Sequence, residues 1–243
     1  MNVITLKTVD STNRYLKDLL RTTLSLPNFL TVFTPQQTAG RGQYGAKWDS
    51  QPFVNLTFSV LYVPEHLTLE DTFLLNMAVP IAVLRALDSY GVAETFIKWP
   101  NDIILQDKKI GGILIENIVS GQLVEKSVIG IGLNVNQMNF EGLPKASSLR
   151  KIVGESFEVE LLMEEIVLQM ETLLPSFLKK GFEGGYRSYQ KYLFRKDKIS
   201  AFRQKEGINF MGVIKGVAPT GRLLVETEIG VRSFELKEIE LLY

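Results

Sequence analysis

Gln36-Gln37-Thr38-Ala39-Gly40-Arg41-Gly42-Gln43-Tyr44-Gly45-Ala46-Lys47-Trp48 is the stretch on which the reading of the chain turns. Gly40 to Gly45 spell G-x-G-x-x-G, which marks a dinucleotide-binding turn only where a strand runs straight into a helix. The flanks do not fit that fold. Leu30-Thr31-Val32-Phe33 reads as a strand, but Pro35 to Thr38 separate it from the glycines. After Trp48 come Asp49-Ser50-Gln51-Pro52 and then the strand-like Val54 to Val60. No helix starts at the third glycine, so no helix N-terminus is offered to a pyrophosphate. A P-loop fails too, because Ala46 stands where its lysine should be. Two readings remain: a surface connection whose glycines serve turns, and a ligand loop. Glycine permits close backbone approach to a ligand. Arg41 brings a planar fork for phosphate or carboxylate, Lys47 a second charge, and Trp48 a flat face for a base or another ring. The combination favours a mobile loop that closes over an anionic, nucleotide-like ligand.

Upstream, Val3 to Leu6 is a short strand candidate. Asp10-Ser11-Thr12-Asn13 precedes Tyr15, Leu16, Leu19 and Leu20 at helical spacing, with Asp10 or Ser11 as N-cap. Ser11 to Asn13 either cap alone or also aim hydroxyl and amide groups at a polar ligand. Downstream, Leu69 to Tyr90 predicts a long helix stopped by Gly91, with Pro80 expected to kink or divide it. Thr95 to Leu105 reads as strand, Pro100-Asn101-Asp102 turn and strand; Gln106 to Lys109 is a hairpin turn, and Ile110 to Glu116 returns. Paired Gly111-Gly112 inside that strand suggest a bulge or a close approach. In the strand Lys126 to Asn136, Gly130 and Gly132 alternate, so both clear one face of the sheet. A cleared face suits a flat ligand or a tightly crossing helix.

Phe140 to Gly154 reads as loop, Val159 to Lys180 as an amphipathic helix with a break expected at Pro175, and Tyr186 to Leu193 as a short helix. From about Lys196 the texture changes to short strands, which suggests a small β-barrel. The expected division is therefore 1–195 and 196–243, the second part packed on the first without a flexible linker.

Composition narrows the class. The 243 residues carry 45% hydrophobic side chains, ample for a core, and a net charge of zero, which does not indicate a strongly basic nucleic-acid surface. The lack of cysteine excludes disulfides, thiol catalysis and cysteine–metal clusters. The single histidine, His66, reads as a surface residue, so a catalytic triad through it has no support from context. The N-terminus lacks a signal-peptide pattern and no apolar run is long enough for a membrane span, so a cytoplasmic protein is expected.

Five blocks in order then resemble the biotin–protein ligases: Asp10 to Asn13, Gly40 to Trp48, Lys98-Trp99-Pro100-Asn101-Asp102, Lys109 to Glu116, and Gly130 to Asn136. The segment from Gly212 to Glu226 is similar to that family's small SH3-like domain. The resemblance implies an α+β fold like the catalytic core of class II aminoacyl-tRNA synthetases, a mixed sheet with helices, followed by the SH3-like barrel. It also implies a two-step reaction, in which biotin and ATP with Mg2+ give biotinyl-5′-AMP and pyrophosphate, and the adenylate then acylates one lysine of a biotin carboxyl carrier domain.

The resemblance further implies the roles of residues. Lys109, Arg41 and Asp102 would be catalytic, with Asp102 near the incoming lysine. Ser11, Thr12, Asn13 and Gln37 would surround the ureido ring, with Arg41, Gly42, Gln43 and Lys109 completing the biotin contacts and Gly111, Gly112, Gly130 and Gly132 flooring the slot. Arg41, Lys47, Trp48, Lys98, Asn101 and Asn134 would bind ATP. Metal ligands are not specified, and a homodimer is left open. Two departures stand out: Gln43 and Ala46 occupy places where the family's familiar loop has arginine, and the chain enters its core within a dozen residues, so no N-terminal DNA-binding domain and no DNA partner are expected. The competing readings are a lipoate–protein ligase, whose Arg-Arg and Gly-Gly-Gly runs are not found here, and a catalytically silent module that captures biotin or a carrier domain.

Overall fold

In the computed structural model, which describes residues 1–243, the strands fall into two sheets. The first contains β1 (Val3–Thr5), β2 (Thr31–Thr34), β3 (Leu56–Tyr62), β4 (Thr95–Lys98), β5 (Asp102–Leu105), β6 (Lys108–Ser120) and β7 (Leu123–Leu133). Their spatial order is β1-β2-β3-β7-β6-β5-β4, with β1 parallel to β2 and every other pair antiparallel. Strand alternation splits the central side chains between two faces. On one face Val32, Leu61 and Val128 pack with Leu16 of helix α1 (Thr12–Thr22) in a small apolar cluster. On the other, Phe58, Val60, Ile129, Ile131 and Leu133 join the main core with helices α2 (Phe73–Ser89) and α4 (Val159–Tyr189). The small cluster leaves the rest of its face free for a site.

Helix boundaries follow packing more than the local breakers suggest. α2 begins at Phe73 rather than Leu69 and runs undivided through Pro80. A proline removes one internal hydrogen bond, but this helix is apolar on nearly all sides and wedged between α4 and the sheet, and that burial outweighs the loss. α4 likewise passes through Pro175; its break falls at Gly181, at φ 62° and ψ −171°, backbone space that glycine alone enters cheaply. The segment after the break runs to Tyr189 and absorbs the start of the expected short helix. Within the stretch read as loop, α3 (Leu149–Val153) forms because Ser148 accepts a cap bond from the Lys151 amide at 3.1 Å and Gly154 closes it at φ 92°.

The second sheet holds β8 (Ile199–Gln204), β9 (Asn209–Val217), β10 (Leu223–Thr227), β11 (Gly230–Phe234) and β12 (Ile239–Leu242), ordered β11-β10-β9-β8-β12. β11 and β12 are the ends of this hydrogen-bonded order, and the five antiparallel strands are the small C-terminal β-structure expected. Its inward residues Phe202, Ile214, Val225 and Phe234 belong to the same core as Phe73 and Phe194. A hydrogen bond from Trp99 Nε1 to the Gly221 carbonyl, at 2.9 Å, ties the two sheets together. Gly221 is required twice over: its φ is 82°, and a Cβ there would run into the Phe73 ring.

Tyr189 is a flaw in this core. It is fully buried, packs edge-on to Phe73 with ring centroids 6.2 Å apart, and its hydroxyl has no partner. An unpaired buried polar group costs about 1–3 kcal/mol. Tyr189→Phe is therefore expected to stabilise the fold by about 1 kcal/mol, read as a higher denaturant midpoint at unchanged slope; a lower midpoint would mean that the hydroxyl is satisfied in solution.

Candidate active site

The register of the main sheet defines the site. Thr57 on β3 pairs with Gly132 on β7, Gly132 with Gly112 on β6, and Gly112 with Asp102 on β5. One step along lies a second row, Ser59, Gly130 and Leu114. These rows share the face that carries α1, and their three glycines leave a slot in it. A Cβ on Gly130 would overlap Asn13 Oδ1 at the start of α1. One on Gly132 would stand 2.6–2.7 Å from Trp48 Cζ2 and Nε1. The clearing is thus filled by the head of a helix at one end and an indole at the other.

The polar end is built by the turn into α1. Ser11 is the N-cap, accepting from the Arg14 amide at 3.4 Å. Thr12 and Asn13, in the first turn, point back at the sheet and are buried. Gln37 Oε1 accepts from the Thr12 amide at 2.9 Å and lies 3.2 Å from its hydroxyl. Capping and presentation of polar groups therefore occur together.

The charged end depends on a bulge. Lys109 and Gly112 are three residues apart, so regular alternation would put them on opposite faces. Between β5 and β6 the register shifts by one: Ile103 pairs with Gly111, but Ile104 pairs with Lys109, leaving Ile110 extra. A bulge of this kind re-aims side chains. Here it brings the Lys109 ammonium over the slot, 3.8 Å from where a Gly112 Cβ would be. Lys109 Nζ meets Asp102 Oδ1 at 2.5 Å, and Lys98 Nζ holds the other oxygen at 3.3 Å. The C-terminal Tyr243 caps this group, its ring 5.7 Å from Lys98 Nζ and 4.8 Å from Lys145 Nζ. Burial, reinforced by the charges of Asp102, Asp107 and Glu240, pushes its phenol up to about 12, so it stays neutral beside the lysines.

The glycine-rich stretch is a small hairpin. The Trp48 amide donates to the Gly40 carbonyl at 3.0 Å and the Gly42 amide to the Ala46 carbonyl at 2.7 Å, with a 3-10 turn at Gln43–Gly45. Gly40 has no room for a side chain beside the Trp48 backbone and Gln37. Arg41 and Lys47 are exposed and make no ion pair, whereas Trp48 folds back over the glycine floor with its Nε1 buried and unpartnered. The remaining cavity is about 180 Å³, below the roughly 300–1,000 Å³ typical of ligand pockets. The hairpin must move outward before a ligand can lie along the slot.

Most of the residues selected from sequence converge here: Ser11, Thr12, Asn13 and Gln37 at the polar end, Arg41, Gly42, Gln43, Lys47 and Trp48 on the hairpin, Asn101, Asp102 and Lys109 at the charged end, and Gly112, Gly130 and Gly132 beneath. Three do not line it. Gly111 faces the opposite side, where a Cβ would collide with Leu133 and the Gly132 carbonyl; it is a packing glycine. Asn134 is buried and donates to the Ser147 carbonyl at 3.0 Å, joining β7 to the turn before α3. Lys98 reaches the site only through Asp102 and otherwise borders a second cleft against the C-terminal sheet. Lys109, expected as the last residue of the hairpin turn, is instead the second residue of β6. Thr57 and Ser59 were missed, although two polar residues at i and i+2 in an otherwise apolar strand mark one face.

Comparison with known proteins fits this geometry. Residues 5–134, which hold every slot residue, match the family described as biotin/lipoate A/B protein ligase. The chain belongs to that family. Among its relatives, the bifunctional ligase/repressor BirA of Bacillus subtilis is 31% identical over 219 residues, 88% of this chain and 67% of its own length. The biotin–[acetyl-CoA-carboxylase] ligase of Mycobacterium tuberculosis is 35% identical over 123 residues, 49% of this chain and 44% of its own. The biotin protein ligase of Aquifex aeolicus, solved in complex with biotin and ATP, superposes with a TM-score of 0.81 at 28% identity, covering 99% of this chain and 98% of that one.

Proposed function

We infer that this chain is a biotin–[acetyl-CoA-carboxylase] ligase: it joins biotin to one lysine of a biotin carboxyl carrier domain, driven by ATP. The observation that carries the reading is the polarity of the slot. Ser11, Thr12 and Gln37 at one end suit the N–H donors and carbonyl of a ureido ring. Lys109, Arg41 and Lys47 at the other suit a carboxylate approaching a phosphate. The Mycobacterium tuberculosis and Aquifex aeolicus proteins named above are biotin ligases, and lipoate has no ureido group to occupy the polar end.

In the first step a biotin carboxylate oxygen attacks the α-phosphorus of ATP, and the bond to pyrophosphate breaks. Two anions meet, so preorganised positive charge is the main requirement. Lys109 supplies it from the rigid sheet, and Arg41 with Lys47 from the hairpin. Trp48, once swung from the floor, offers its face to the adenine, and Asn101, held by a 2.7 Å bond to the Ile113 carbonyl, keeps the turn beside Asp102 in place. Mg2+ enters as part of MgATP: no group of three or more His, Cys, Asp or Glu residues surrounds a resident metal position, and magnesium in such sites is held largely by phosphates and water. In the second step the neutral amine of the carrier lysine attacks the acyl carbon and AMP leaves. Asp102 receives the arriving ammonium and takes its proton, which frees the amine for attack, and its contact with Lys109 is exchanged as the phosphate draws that lysine away. No helix of the chain is long and apolar enough to cross a membrane.

The test is pyrophosphate release with biotin and, separately, lipoate. Release with biotin followed by labelling of a carrier domain supports the assignment; release with lipoate alone, or with neither, overturns it.

Gln43 sets how well the intermediate is kept. It lines the slot from the hairpin tip with a neutral side chain, and charge-assisted hydrogen bonds are roughly twice as strong as neutral ones. Gln43→Arg is expected to slow biotinyl-5′-AMP release about tenfold, equivalent to about 1.4 kcal/mol, and to reduce labelling of bystander proteins. Equal release rates would show that Gln43 does not control retention.

A further inference from the structure

We propose that Ser59 and Glu116 are positioning residues that fix the hydrogen-bond polarity of Thr12, so that the slot presents oxygen lone pairs and withholds a hydroxyl proton from its ligand. The inference rests on the biotin reading above and specifies how the ureido ring is distinguished from an isostere.

The argument is an accounting of protons. Asn13 Nδ2 donates to Glu116 Oε2 at 2.8 Å and lies 3.5 Å from the Leu114 carbonyl oxygen. Both are acceptors, so the Asn13 amide cannot be turned round without placing oxygen against oxygen. Lys17 Nζ, 2.6 Å from Glu116 Oε1, holds the carboxylate in place. Asn13 Oδ1 therefore faces Ser59, whose hydroxyl lies 2.6 Å away. An amide oxygen only accepts, so the single Ser59 proton is committed to Asn13.

Ser59 Oγ is also 2.7 Å from Thr12 Oγ1. Two hydroxyl oxygens at that distance need a proton between them, and Ser59 has none left. Thr12 must supply it. The longer 3.2 Å approach of the Thr12 hydroxyl to Gln37 Oε1 is then unprotonated, and Gln37 Oε1 keeps the Thr12 amide as its donor at 2.9 Å. What faces the cavity is the lone pairs of Thr12 Oγ1 and Gln37 Oε1, two acceptors for N–H donors. Ser59 is fully buried and Thr12 and Asn13 nearly so, so water does not scramble the order. Gly130, which pairs with Ser59, leaves the space in which Asn13 Oδ1 sits. Donation therefore runs from Thr12 to Ser59 to Asn13 to Glu116, and its sense is set by the half-exposed Lys17–Glu116 ion pair and read out inside the slot.

The test uses biotin and two cyclic carbamate analogues, each with one ureido N–H replaced by a ring oxygen. Binding to the purified chain is measured by calorimetry for wild type, Ser59→Ala and Glu116→Leu. In the wild type the carbamate that meets Thr12 places lone pair against lone pair, and a site built for an N–H should reject it by at least about a hundredfold. Ser59→Ala frees the Thr12 hydroxyl to rotate and donate to the ring oxygen. Glu116→Leu removes the nearer of the two acceptors that fix the Asn13 amide and leaves only the 3.5 Å approach to Leu114, so the amide can turn and reverse the direction of donation. In both variants the preference for biotin over that carbamate is expected to fall below about tenfold, with the KM for ATP unchanged. Loss of affinity for all three ligands in equal proportion would show that Ser59 and Glu116 only hold the fold, and would overturn the proposal. A wild type that binds no biotin would instead overturn the function on which it rests.

Discussion

Lys109→Ala is expected to lower biotinyl-5′-AMP formation by about two to three orders of magnitude while the protein remains folded. Lys109 is the cation of the slot that rests on the sheet itself; Arg41 and Lys47 ride on a hairpin that must open and close. Its ammonium is aimed over the slot by the Ile110 bulge and rests on Asp102 at 2.5 Å, so only a short shift of the side chain separates it from an arriving phosphate. Groups preorganised in this way at developing charge are each worth about 2.7–4 kcal/mol. The side chain is 37% exposed and lies outside the core, and Asp102 keeps Lys98 as a partner when Lys109 is removed. Single-turnover pyrophosphate release, with circular dichroism as the control for folding, checks the prediction. A rate within about threefold of wild type, too small a change for a lost transition-state contact, would remove Lys109 from the mechanism.

Gly132→Leu is expected to abolish biotin and ATP binding, with affinity falling more than about a hundredfold, at a nearly unchanged melting temperature. Gly132 faces the slot, and the contact its side chain would meet is the movable Trp48 indole. A leucine there would fill much of a cavity of only about 180 Å³. Gly111→Ala provides the contrast. Its Cβ would strike Leu133 and a backbone carbonyl on the core face, so stability, not binding, should suffer. Calorimetry and thermal denaturation on both variants separate the cases. Retained binding in Gly132→Leu would place the ligand elsewhere.

The extent to which the site could be read from sequence depends on the reach of each signal. The Gly130 and Gly132 alternation was legible because strand period is strict and local. The rejection of a dinucleotide fold rested on flanking residues, and the hairpin at Gly40 to Trp48 agrees with it. The paired glycines were legible as a bulge or close approach but not as two different glycines, because their division between faces depends on where Ile110 slips the register. Pro80 and Pro175 misled for another reason: each is a local penalty outweighed by burial contributed from distant segments, while the break falls at Gly181, a weak helix former directly after the expected helix end at Lys180. Tyr243 came to the site from the far end of the chain, and no local pattern carries that information.

The Trp48 indole on its glycine floor has a thermodynamic corollary. The free protein competes with its own substrates, since an occupied slot must first be emptied. If only about one molecule in ten has the hairpin swung out, the measured biotin affinity is about tenfold weaker than the contacts alone would give. The first ligand to seat removes that penalty for the second, and it leaves an aromatic plate exposed for the adenine. Biotin and ATP should therefore bind with positive cooperativity, each raising the affinity of the other by the same factor.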